Sequence, residues 1–522
     1  MKRAPLAILW VSALPLMAAT QCDGLPRLKL PNTIITAAEI VAAGAFSPAG
    51  VRANSPALAP FRSLPEFCRV QGVIRPSADS HIEFEVWLPA AGWNNKYVGV
   101  GNGGLAGSIN YAGLAEAVRF GYASSSTDTG HKAGTTDGKW SVGHPEKMTD
   151  YGYRAIHETA LQTKAIIRAR YGSDPAQSYF TSCSNGGRQA LMEAQRYPDD
   201  YDGIIAGAPA ANLTHIGAGF LWDLQALEAD PAAYISEAKL PAIERSVLAA
   251  CDALDGIEDG VLDDPRKCRY DPSALLCSGP ESDSCLTQLQ VAALKKVYAG
   301  PRNSQGVQIV PGFQPGGETG RGGWTAWITG DGPGKSAQFQ FGTSGMDGLS
   351  GDYKTFNFDR DVARFDDQFG LKLNATNPDL RAFKDRGGKL ILFHGWSDPA
   401  LPPTGTIDYY QSVIARIGQS DTAGFVRLYM VPGMQHCGGG PGPSDFSVAP
   451  SAQQDPKASM FRALEQWVEK GAAPAEIVAT KFKTEGNPAS GVARTRPLCA
   501  YPQTAQYKGS GSTDEAANFV CR

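Results

Sequence analysis

The fold is set by the segment Tyr179-Phe-Thr-Ser-Cys-Ser-Asn-Gly-Gly-Arg-Gln189. Its first four residues are predicted to form a short strand, and the residues from Gly187 to Tyr197 repeat apolar side chains at helical spacing. The turn between them contains small residues, which allow a bend sharp enough to present Ser184 at its tip. The alternative interpretation is a glycine-rich helix start in which Ser184 is an ordinary N-cap.

Similar strand and helix units lie on both sides of this segment. Strands are predicted at His81–Leu88, where apolar and polar residues alternate, and at Lys96–Val100, Gly203–Ala206, Lys389–Phe393 and Phe425–Val431. Helices are predicted at Tyr151–Tyr171 after the N-caps Thr149 and Asp150, at Ile407–Ile417, and at Pro456–Lys470 between the N-cap Asp455 and Gly471. Alternating strands and helices imply a parallel sheet flanked by helices.

The alternation disappears in the middle of the chain, over residues 212–376. This region holds four cysteines, an aspartate-rich loop and many glycines. Because it separates two regions of alternating strands and helices, we interpret it as an inserted lid domain. The predicted core domain then consists of residues 21–211 and 377–522.

An aspartate and a histidine follow Ser184 in the order that the catalytic triad takes in α/β-hydrolases. Asp398 comes after the strand that ends at Phe393, and His436 comes after the strand that ends at Val431. Open parallel sheets gather their functional residues at these strand ends. The predicted fold class is therefore α/β, with an α/β-hydrolase core and a large inserted lid domain. Ser184 is the candidate nucleophile, His436 the general base and Asp398 the acid that orients it.

Two other residues compete for these roles. His394 precedes Asp398 and has no neighbouring cysteine, so we interpret it as structural or pocket-lining. Asp128, in Thr127-Asp-Thr-Gly-His131, is a rival acid, but it precedes Ser184, which is the wrong order for this fold.

Cysteines lie next to two of the candidates: Cys183 precedes Ser184, and Cys437 follows His436. A disulfide between them would hold the two Cα atoms roughly 4.4–6.8 Å apart, about the separation that a hydrogen bond between serine and histidine requires. The chain has ten scattered cysteines and no CxxC pair, which disfavours the competing interpretation of a zinc site. Local spacing favours Cys251–Cys268, Cys277–Cys285 and Cys499–Cys521, which leaves Cys22–Cys68 and Cys183–Cys437.

Attack by Ser184 on an ester would create an oxyanion, which needs preorganised hydrogen-bond donors. We expect one donor to be the main-chain amide of Asn185. The second should come from Gly103 or Gly104, in the glycine loop 101–107 after the strand Lys96–Val100. The alternative interpretation of this loop is a plain flexible turn.

Carboxylates cluster in the loop Asp252-Ala-Leu-Asp-Gly-Ile-Glu-Asp-Gly-Val-Leu-Asp263. Calcium binds several carboxylates together with main-chain carbonyl groups, although this spacing is not that of an EF-hand. The alternative is a solvated acidic loop. Enclosure between Cys251 and Cys268 favours an ordered ion site.

Composition and the N-terminus limit the partners and the compartment. The chain has 522 residues, a net charge of −4 and 42% hydrophobic residues, with no long basic run, so we expect neither a nucleic-acid nor a membrane partner. Residues 1–20 resemble a cleaved signal peptide, with Lys2 and Arg3 before an apolar stretch that is too short to span a bilayer. A disordered apolar N-terminus is the alternative. Export would place the cysteines where disulfides persist.

These motifs together resemble the tannase and feruloyl esterase family. The match is carried by Cys183-Ser-Asn-Gly-Gly-Arg-Gln189, by His394-Gly-Trp-Ser-Asp398 and by Pro432-Gly-Met-Gln-His436-Cys437, which resemble the family's CS-D-HC motif. The segment 286–300 also resembles a lid segment of the family. Ser182 departs from the pattern, since the family usually has glycine there.

The resemblance implies a calcium ion with a structural role in the lid. On the family's pattern, its ligands would be the side chains of Asp252, Asp255 and Asp259 and the carbonyl groups of Ile257 and Val261. It also implies a secreted or periplasmic serine esterase that forms an acyl-enzyme with aromatic esters of the feruloyl or galloyl type. Such an ester would be small, or attached to a plant polysaccharide or polyphenol.

Other functions stay open at this point. One is a general short-chain carboxylesterase, and another is a hydrolase of the mono(2-hydroxyethyl) terephthalate type. A binding protein with an inactive triad is disfavoured because all three residue types are present. Specificity should depend on lid residues, and five aromatic side chains there can either line a ring-shaped slot or pack in the lid core: Trp222, Trp324, Trp327, Phe339 and Phe341.

Overall fold

A nine-stranded mixed sheet lies at the centre of the fold in the computed structural model, which describes residues 19–52 and 54–522. The strands of the described chain are β1 (Thr33–Val41), β2 (Phe67–Ile74), β3 (Ile82–Pro89), β4 (Lys96–Val100), β5 (Ala123–Thr127), β6 (Gln177–Cys183), β7 (Gly203–Gly207), β8 (Lys389–Gly395), β9 (Val426–Val431), β10 (Glu476–Phe482), β11 (Val492–Cys499), β12 (Ala505–Tyr507) and β13 (Phe519–Cys521). The sheet order is β1-β2-β3-β5-β4-β6-β7-β8-β9. In this order, the pairs β1-β2, β2-β3 and β3-β5 are antiparallel. The pairs from β5-β4 to β8-β9 are parallel.

Helices cover both faces of this sheet. Those of the described chain are α1 (Tyr111–Arg119), α2 (Pro145–Thr149), α3 (Ala155–Tyr171), α4 (Asn185–Arg196), α5 (Leu213–Glu228), α6 (Leu240–Cys251), α7 (Gln288–Ala299), α8 (Trp324–Trp327), α9 (Ala337–Gly342), α10 (Asp361–Phe365), α11 (Leu371–Leu373), α12 (Arg381–Asp385), α13 (Thr404–Ile417), α14 (Gln419–Ala423) and α15 (Met460–Lys470). Successive residues of a strand point to opposite faces of the sheet, so each face packs against its own layer of helices. Ile204 and Leu390 pack with α3, α4 and α13, whereas Ile205 and Ile391 pack with α15 on the other face. The α/β-hydrolase fold predicted from the sequence is confirmed.

The predicted strands and helices are present, but two helix starts were wrong. The helical path that leads to Tyr171 begins at Pro145, and it passes through α2 and a π-helical turn, Asp150–Arg154, before α3. Asp150 does not cap a helix, because its Oδ1 atom accepts a hydrogen bond from Nε of Arg154 at 2.6 Å.

The last long helix also starts later than predicted. It begins at Met460, because the Ser459 side chain caps it by accepting a hydrogen bond from the amide of Arg462. Asp455, the predicted N-cap, accepts from the amide of Lys457 in the preceding turn. The helix ends as predicted at Gly471, which has a left-handed conformation.

Residues 212–376, the predicted lid, contribute no strand to the central sheet in the described chain. They form apolar clusters of their own: one joins α6, α7 and α8, and another joins α5 and α10. Residues 1–18 of the predicted signal peptide lie outside the described residues. No helix of the described chain has the length and apolar character needed to cross a bilayer.

Candidate active site

Ser184 lies on a sharp turn between β6 and α4. Its backbone has φ of 65° and ψ of −126°, a region that non-glycine residues rarely adopt and that is typical of functional sites. Neighbouring glycines make the turn possible: a Cβ atom on Gly186 would lie 1.8 Å from Oγ of Ser182, and one on Gly187 would lie 2.3 Å from the carbonyl oxygen of Gly207. Ser182, the departure from the family pattern, therefore fits because its hydroxyl occupies the space that Gly186 leaves free.

The structure brings the three predicted triad residues together. His436 Nε2 is 2.9 Å from Oγ of Ser184, and His436 Nδ1 is 2.8 Å from Oδ2 of Asp398. Asp398 is buried, and its Oδ1 atom accepts hydrogen bonds from the amides of Ala400 and Leu401. Burial alone would raise the pKa of Asp398, but the charge of His436 and hydrogen bonds from nearby imidazoles bring that pKa below its ordinary value. Asp398 is therefore ionised beside the imidazole.

His394 is a second partner of the acid. Its Nε2 atom lies 3.1 Å from Oδ2 of Asp398 and 3.2 Å from the carbonyl oxygen of Leu401, so this nitrogen faces two acceptors and carries the hydrogen. Its Nδ1 atom is 2.7 Å from the Thr406 hydroxyl. His394 thus contacts the acid and has no hydrogen bond to Ser184 in the described chain.

Asp128, the rival acid, is engaged elsewhere. Its Oδ1 atom accepts hydrogen bonds from the amides of Glu83 and Gly130 at 3.0 and 2.8 Å. Burial raises the pKa of Asp128 to about 8, because the charged form loses solvation.

All five predicted disulfides are present. The one between Cys183 and Cys437 holds their Cα atoms 6.0 Å apart across 254 residues of sequence. It joins the residue before Ser184 to the residue after His436, so the two strand ends that carry the serine and the histidine are covalently connected.

The expected oxyanion donors differ in their position. Asn185 and Gly104 line the same cleft as Ser184, whereas Gly103 is not part of its lining. Asn185 is the first residue of α4, where main-chain amides have no partner within the helix. Neither its amide nor that of Gly104 donates to another group in the described part of the chain. Both amides are therefore available to a ligand at Ser184.

The cleft at Ser184 is lined mainly by apolar and aromatic side chains. They come from the core and from the predicted lid: Leu105, Tyr151, Ala210, Leu213, Ile216, Phe220, Trp327, Phe341, Leu349, Ala400 and Leu401. The ring of Trp327 packs edge-on against His436, with ring centroids 4.8 Å apart. Among the described residues that form the lining, none is Asp, Glu, Lys or Arg.

Only two of the five lid aromatics highlighted by the sequence, Trp327 and Phe341, line the cleft. Trp324 is buried in the lid core, Trp222 packs against Phe358, and Phe339 packs against Tyr353. Sequence reasoning missed Tyr151, which it placed only as a helix residue. Its neighbours in the sequence, Asp150 and Gly152, give no signal that the ring lines the cleft at Ser184.

The sequence matches the tannase and feruloyl esterase family over residues 68–522. This chain belongs to the tannase and feruloyl esterase family. It is similar to an uncharacterised esterase of Xanthomonas campestris pv. campestris, with 44% identity over 97% of this chain and 91% of the relative. It is 35% identical to mono(2-hydroxyethyl) terephthalate hydrolase of Piscinibacter sakaiensis, over 97% of this chain and 92% of that enzyme.

A solved structure supports the same conclusion. The crystal structure of feruloyl esterase B from Aspergillus oryzae superposes with a TM-score of 0.84 at 29% identity, covering 96% of this chain and 99% of that one. As a member of the tannase and feruloyl esterase family, this chain is a carboxylic ester hydrolase whose substrates are small esters.

The acidic loop that the family resemblance assigns to calcium offers a suitable set of donors. The Oδ1 atom of Asp252 is buried and has no hydrogen-bond partner among the described residues. The carbonyl oxygens of Ile257 and Val261 likewise accept no hydrogen bond from the described chain. Asp255 accepts hydrogen bonds from the amides of Ile257 and Asp263, which turns its carboxylate into the loop. These donors fit a hard cation such as Ca²⁺.

Asp259 differs from the other two aspartates of this set. Its Oδ2 atom lies 3.0 Å from Arg494 Nη1 and 2.5 Å from Arg496 Nη2, on β11. The charge of Asp259 is therefore already balanced in part, and its side chain connects the acidic loop to the C-terminal strands.

A second acidic cluster, which the sequence did not indicate, lies between α3 and α4. In the described chain, His157, Glu193 and Asp200 have potential ligand atoms within 4.8 Å of one another. Glu193 is fully buried, and burial together with the neighbouring Asp200 raises its pKa well above the usual range. Asp200 Oδ2 lies 2.6 Å from Nδ1 of His157, whereas neither carboxylate oxygen of Glu193 has a hydrogen-bond partner among the described residues.

Proposed function

We propose that this enzyme hydrolyses uncharged aromatic carboxylic esters through an acyl-enzyme intermediate. The observation that carries the proposal is the cleft at Ser184, whose described lining is aromatic and aliphatic and has no ionic side chain. Such a lining favours an aromatic ring without charge, because apolar contacts stabilise the ring and no Lys or Arg among the described lining residues would pair with an anionic substituent on it. Phenolic acyl groups of the feruloyl or galloyl type have this character.

The geometry supports the following sequence of steps. Ser184 Oγ attacks the ester carbonyl carbon while His436 Nε2 takes its proton, and Asp398 holds the imidazole in the required tautomer. The amides of Asn185 and Gly104 bind the negative oxygen of the tetrahedral intermediate. The imidazolium then protonates the leaving alcohol, and the Ser184 acyl ester remains. Water, deprotonated by His436, cleaves that ester and releases the acid.

A matched pair of substrates tests the charge preference of the cleft. 2-Hydroxyethyl benzoate and mono(2-hydroxyethyl) terephthalate differ only by a para carboxylate. We expect kcat/KM to be at least about 10-fold higher for the benzoate, because an unpaired carboxylate loses solvation in an uncharged cleft. Equal values, or a preference for the terephthalate, would favour the alternative that the Piscinibacter relative suggests.

The contribution of the aromatic ring is tested with methyl ferulate and methyl crotonate, which differ mainly by the ring. We expect Phe341→Ala to lower kcat/KM for the ferulate about 10-fold and to change that for the crotonate little, because only the ferulate ring contacts this wall. Phe339→Ala is the matched control, since Phe339 lies on the same helix, α9, outside the lining. An enzyme without ring preference, for which neither variant alters the ratio, would be a general short-chain carboxylesterase.

We also propose that the acidic loop binds Ca²⁺ through Asp252, Asp255 and Asp259 with the carbonyl groups of Ile257 and Val261. When bound, the ion would neutralise carboxylates that repel one another. None of these five residues lines the cleft at Ser184, although the Val261 side chain lies close to Gly433 in the loop that carries His436. The ion would therefore stabilise the folded lid through its binding energy and take no part in the reaction.

Removal of Ca²⁺ by a chelator should lower the melting temperature by several degrees and leave hydrolysis of p-nitrophenyl acetate within about twofold. Asp252→Asn should abolish the dependence of the melting temperature on Ca²⁺, because Asp252 supplies the unpartnered buried oxygen. Glu258→Gln, in the same loop but outside the proposed ligand set, is the matched control. Loss of activity in chelated protein that stays folded would contradict a structural role, and active protein without Ca²⁺ would contradict the site.

We propose export for this enzyme, on the basis of the signal-like residues 1–20 and the five disulfides. In that compartment, phenolic esters of plant polysaccharides or polyphenols are the proposed natural substrates.

A further inference from the structure

Arg188 is a buried cation close to the nucleophile. It lies one helical turn after Ser184 on α4, and its side chain has 0% exposed surface. No aspartate or glutamate of the described residues forms an ion pair with it within 4.0 Å. A buried charge without a counter-ion is costly for folding, so its position beside Ser184 points to a role at the nucleophile.

The guanidinium group donates to neutral oxygens only. Its Nε atom is 2.8 Å from Oδ1 of Asn185, its Nη1 atom is 2.7 Å from the carbonyl oxygen of Gly152, and its Nη2 atom is 3.0 Å from the carbonyl oxygen of Tyr151. A weaker contact, at 3.4 Å, reaches the carbonyl oxygen of Leu373. The positive charge is therefore solvated by protein dipoles and is not cancelled.

Tyr151 extends this network to the opposite side of the cleft. Its ring lies 4.8 Å from the guanidinium carbon of Arg188. Its hydroxyl oxygen is 3.0 Å from Oδ1 of Asn185 and 3.2 Å from the carbonyl oxygen of Gly104. Oδ1 of Asn185 therefore has two potential donors, Nε of Arg188 and the hydroxyl of Tyr151, and that hydroxyl has a single hydrogen to donate to either Asn185 or Gly104.

We propose that Arg188 and Tyr151 are positioning residues that fix Asn185 and Gly104, the two halves of the oxyanion hole, and that the charge of Arg188 stabilises the oxyanion. This inference rests on the proposed serine esterase mechanism. Asn185 belongs to α4 and Gly104 belongs to a separate loop, so their amides need side-chain contacts that keep them in place relative to each other. The guanidinium of Arg188 connects α4 to the turn that contains Tyr151, and the hydroxyl of Tyr151 lies within hydrogen-bond distance of both Asn185 and Gly104.

The expected magnitudes follow from what each group does. Loss of one oxyanion donor costs about 10²–10³ in kcat, and a displacement of about 1 Å costs about 10². Arg188 lies three residues, about 4.5 Å of helix rise, from the first residue of α4, where the positive end of the helix dipole also points at Ser184. We expect kcat to fall about 10-fold in Arg188→Lys, which keeps the charge, and about 10²-fold in Arg188→Met, which loses the charge as well.

A purely structural role would look different. Arg188 also binds two carbonyl groups of the π-helical turn that contains Tyr151 and Gly152, so its removal weakens packing there. Weaker packing lowers the melting temperature, but it does not by itself alter the affinity for an oxyanion. The test therefore needs a measurement that responds only to the oxyanion hole.

The test uses Arg188→Lys, Arg188→Met and Tyr151→Phe in the full-length enzyme, with methyl ferulate as substrate and benzeneboronic acid as an inhibitor that forms a tetrahedral adduct with the serine. In all three variants kcat should fall, by about 10-fold in Tyr151→Phe, with KM within about threefold. The Ki of the boronic acid should rise in proportion to the loss in kcat/KM. The matched controls are Arg196→Met, which removes a cation from the same helix, and Tyr153→Phe, which removes a nearby hydroxyl. Both should keep kcat within twofold.

The outcomes separate this inference from the mechanism on which it rests. If the wild-type enzyme does not hydrolyse esters, the proposed function fails. If the wild-type enzyme is active and the Lys and Phe variants keep kcat and the boronic acid Ki within twofold, Arg188 and Tyr151 are structural and the inference is overturned. Arg188→Lys and Tyr151→Phe decide the matter even where Arg188→Met does not fold.

Discussion

Replacing Ser184 with alanine should lower kcat for methyl ferulate by at least about 10⁴-fold and change the melting temperature by only a few degrees. The substitution removes the single oxygen that His436 Nε2 contacts at 2.9 Å. Asp398 and the unpartnered amides of Asn185 and Gly104 stay in place, so the residual rate reports what the proposed oxyanion hole and binding provide without a nucleophile. The measurement is steady-state hydrolysis, with circular dichroism to show that the variant is folded.

The control for this variant is Ser182→Ala. Ser182 lies on β6, two residues before Ser184, and its hydroxyl fills the space beside Gly186 without a contact to His436 in the described chain. We expect this variant to keep at least half of the wild-type kcat. A fluorophosphonate probe should label the wild-type enzyme and Ser182→Ala but leave Ser184→Ala unlabelled. Retention of more than a small fraction of activity, or of labelling, in Ser184→Ala would show that another residue is the nucleophile.

The triad residues were predictable because several sequence signals point to each of them. Ser184 follows a strand and precedes a glycine-rich helix, and Asp398 and His436 follow later strands in the required order. Strand ends of a parallel sheet meet at one edge, so residues distant in sequence become neighbours. The cysteines beside Ser184 and His436 add an independent constraint, and their disulfide is present in the structure.

The environment of the triad was less predictable, because it depends on tertiary packing that leaves no local pattern. Tyr151 reads as one more residue of a helix, and only the docking of that helix against α4 brings its hydroxyl to Asn185. Trp324 and Trp327 are three residues apart, yet Trp327 contacts His436 and Trp324 is buried in the apolar cluster of α6 and α7.

Helix starts were mispredicted for a related reason. An aspartate before a helix is a good N-cap only when its carboxylate is free to accept from the first turn. Asp150 is instead bound by Arg154, and Ser459 takes the capping position that the sequence assigned to Asp455. Competition between side-chain partners decides such boundaries, and the competing partner is not visible in a short window of sequence.

Replacing both Cys183 and Cys437 with alanine should lower kcat by about 10–10²-fold in protein that is still folded, and should also lower the melting temperature. The stability effect follows from the closed loop, since a cross-link over 254 residues contributes about 5.5 kcal/mol in the chain-entropy model. The effect on kcat has a separate cause. The disulfide sets the distance between the backbones that carry Ser184 and His436, and a shift of about 1 Å in catalytic groups can cost about 10² in rate.

The two effects are separated by assaying at a low temperature, where circular dichroism shows that the double variant is folded, and by comparing it with a variant that lacks Cys277 and Cys285. That disulfide closes a short loop within the predicted lid, with a sequence separation of 8, so its loss should reduce stability without changing kcat. If the Cys183 and Cys437 double variant keeps the wild-type kcat and only melts earlier, the disulfide merely stabilises the fold. If kcat falls in this variant alone, the cross-link itself keeps the serine and the histidine in reacting geometry. The hydrogen bond between them would then depend on a covalent constraint beyond the packing of β6 and β9 in the sheet.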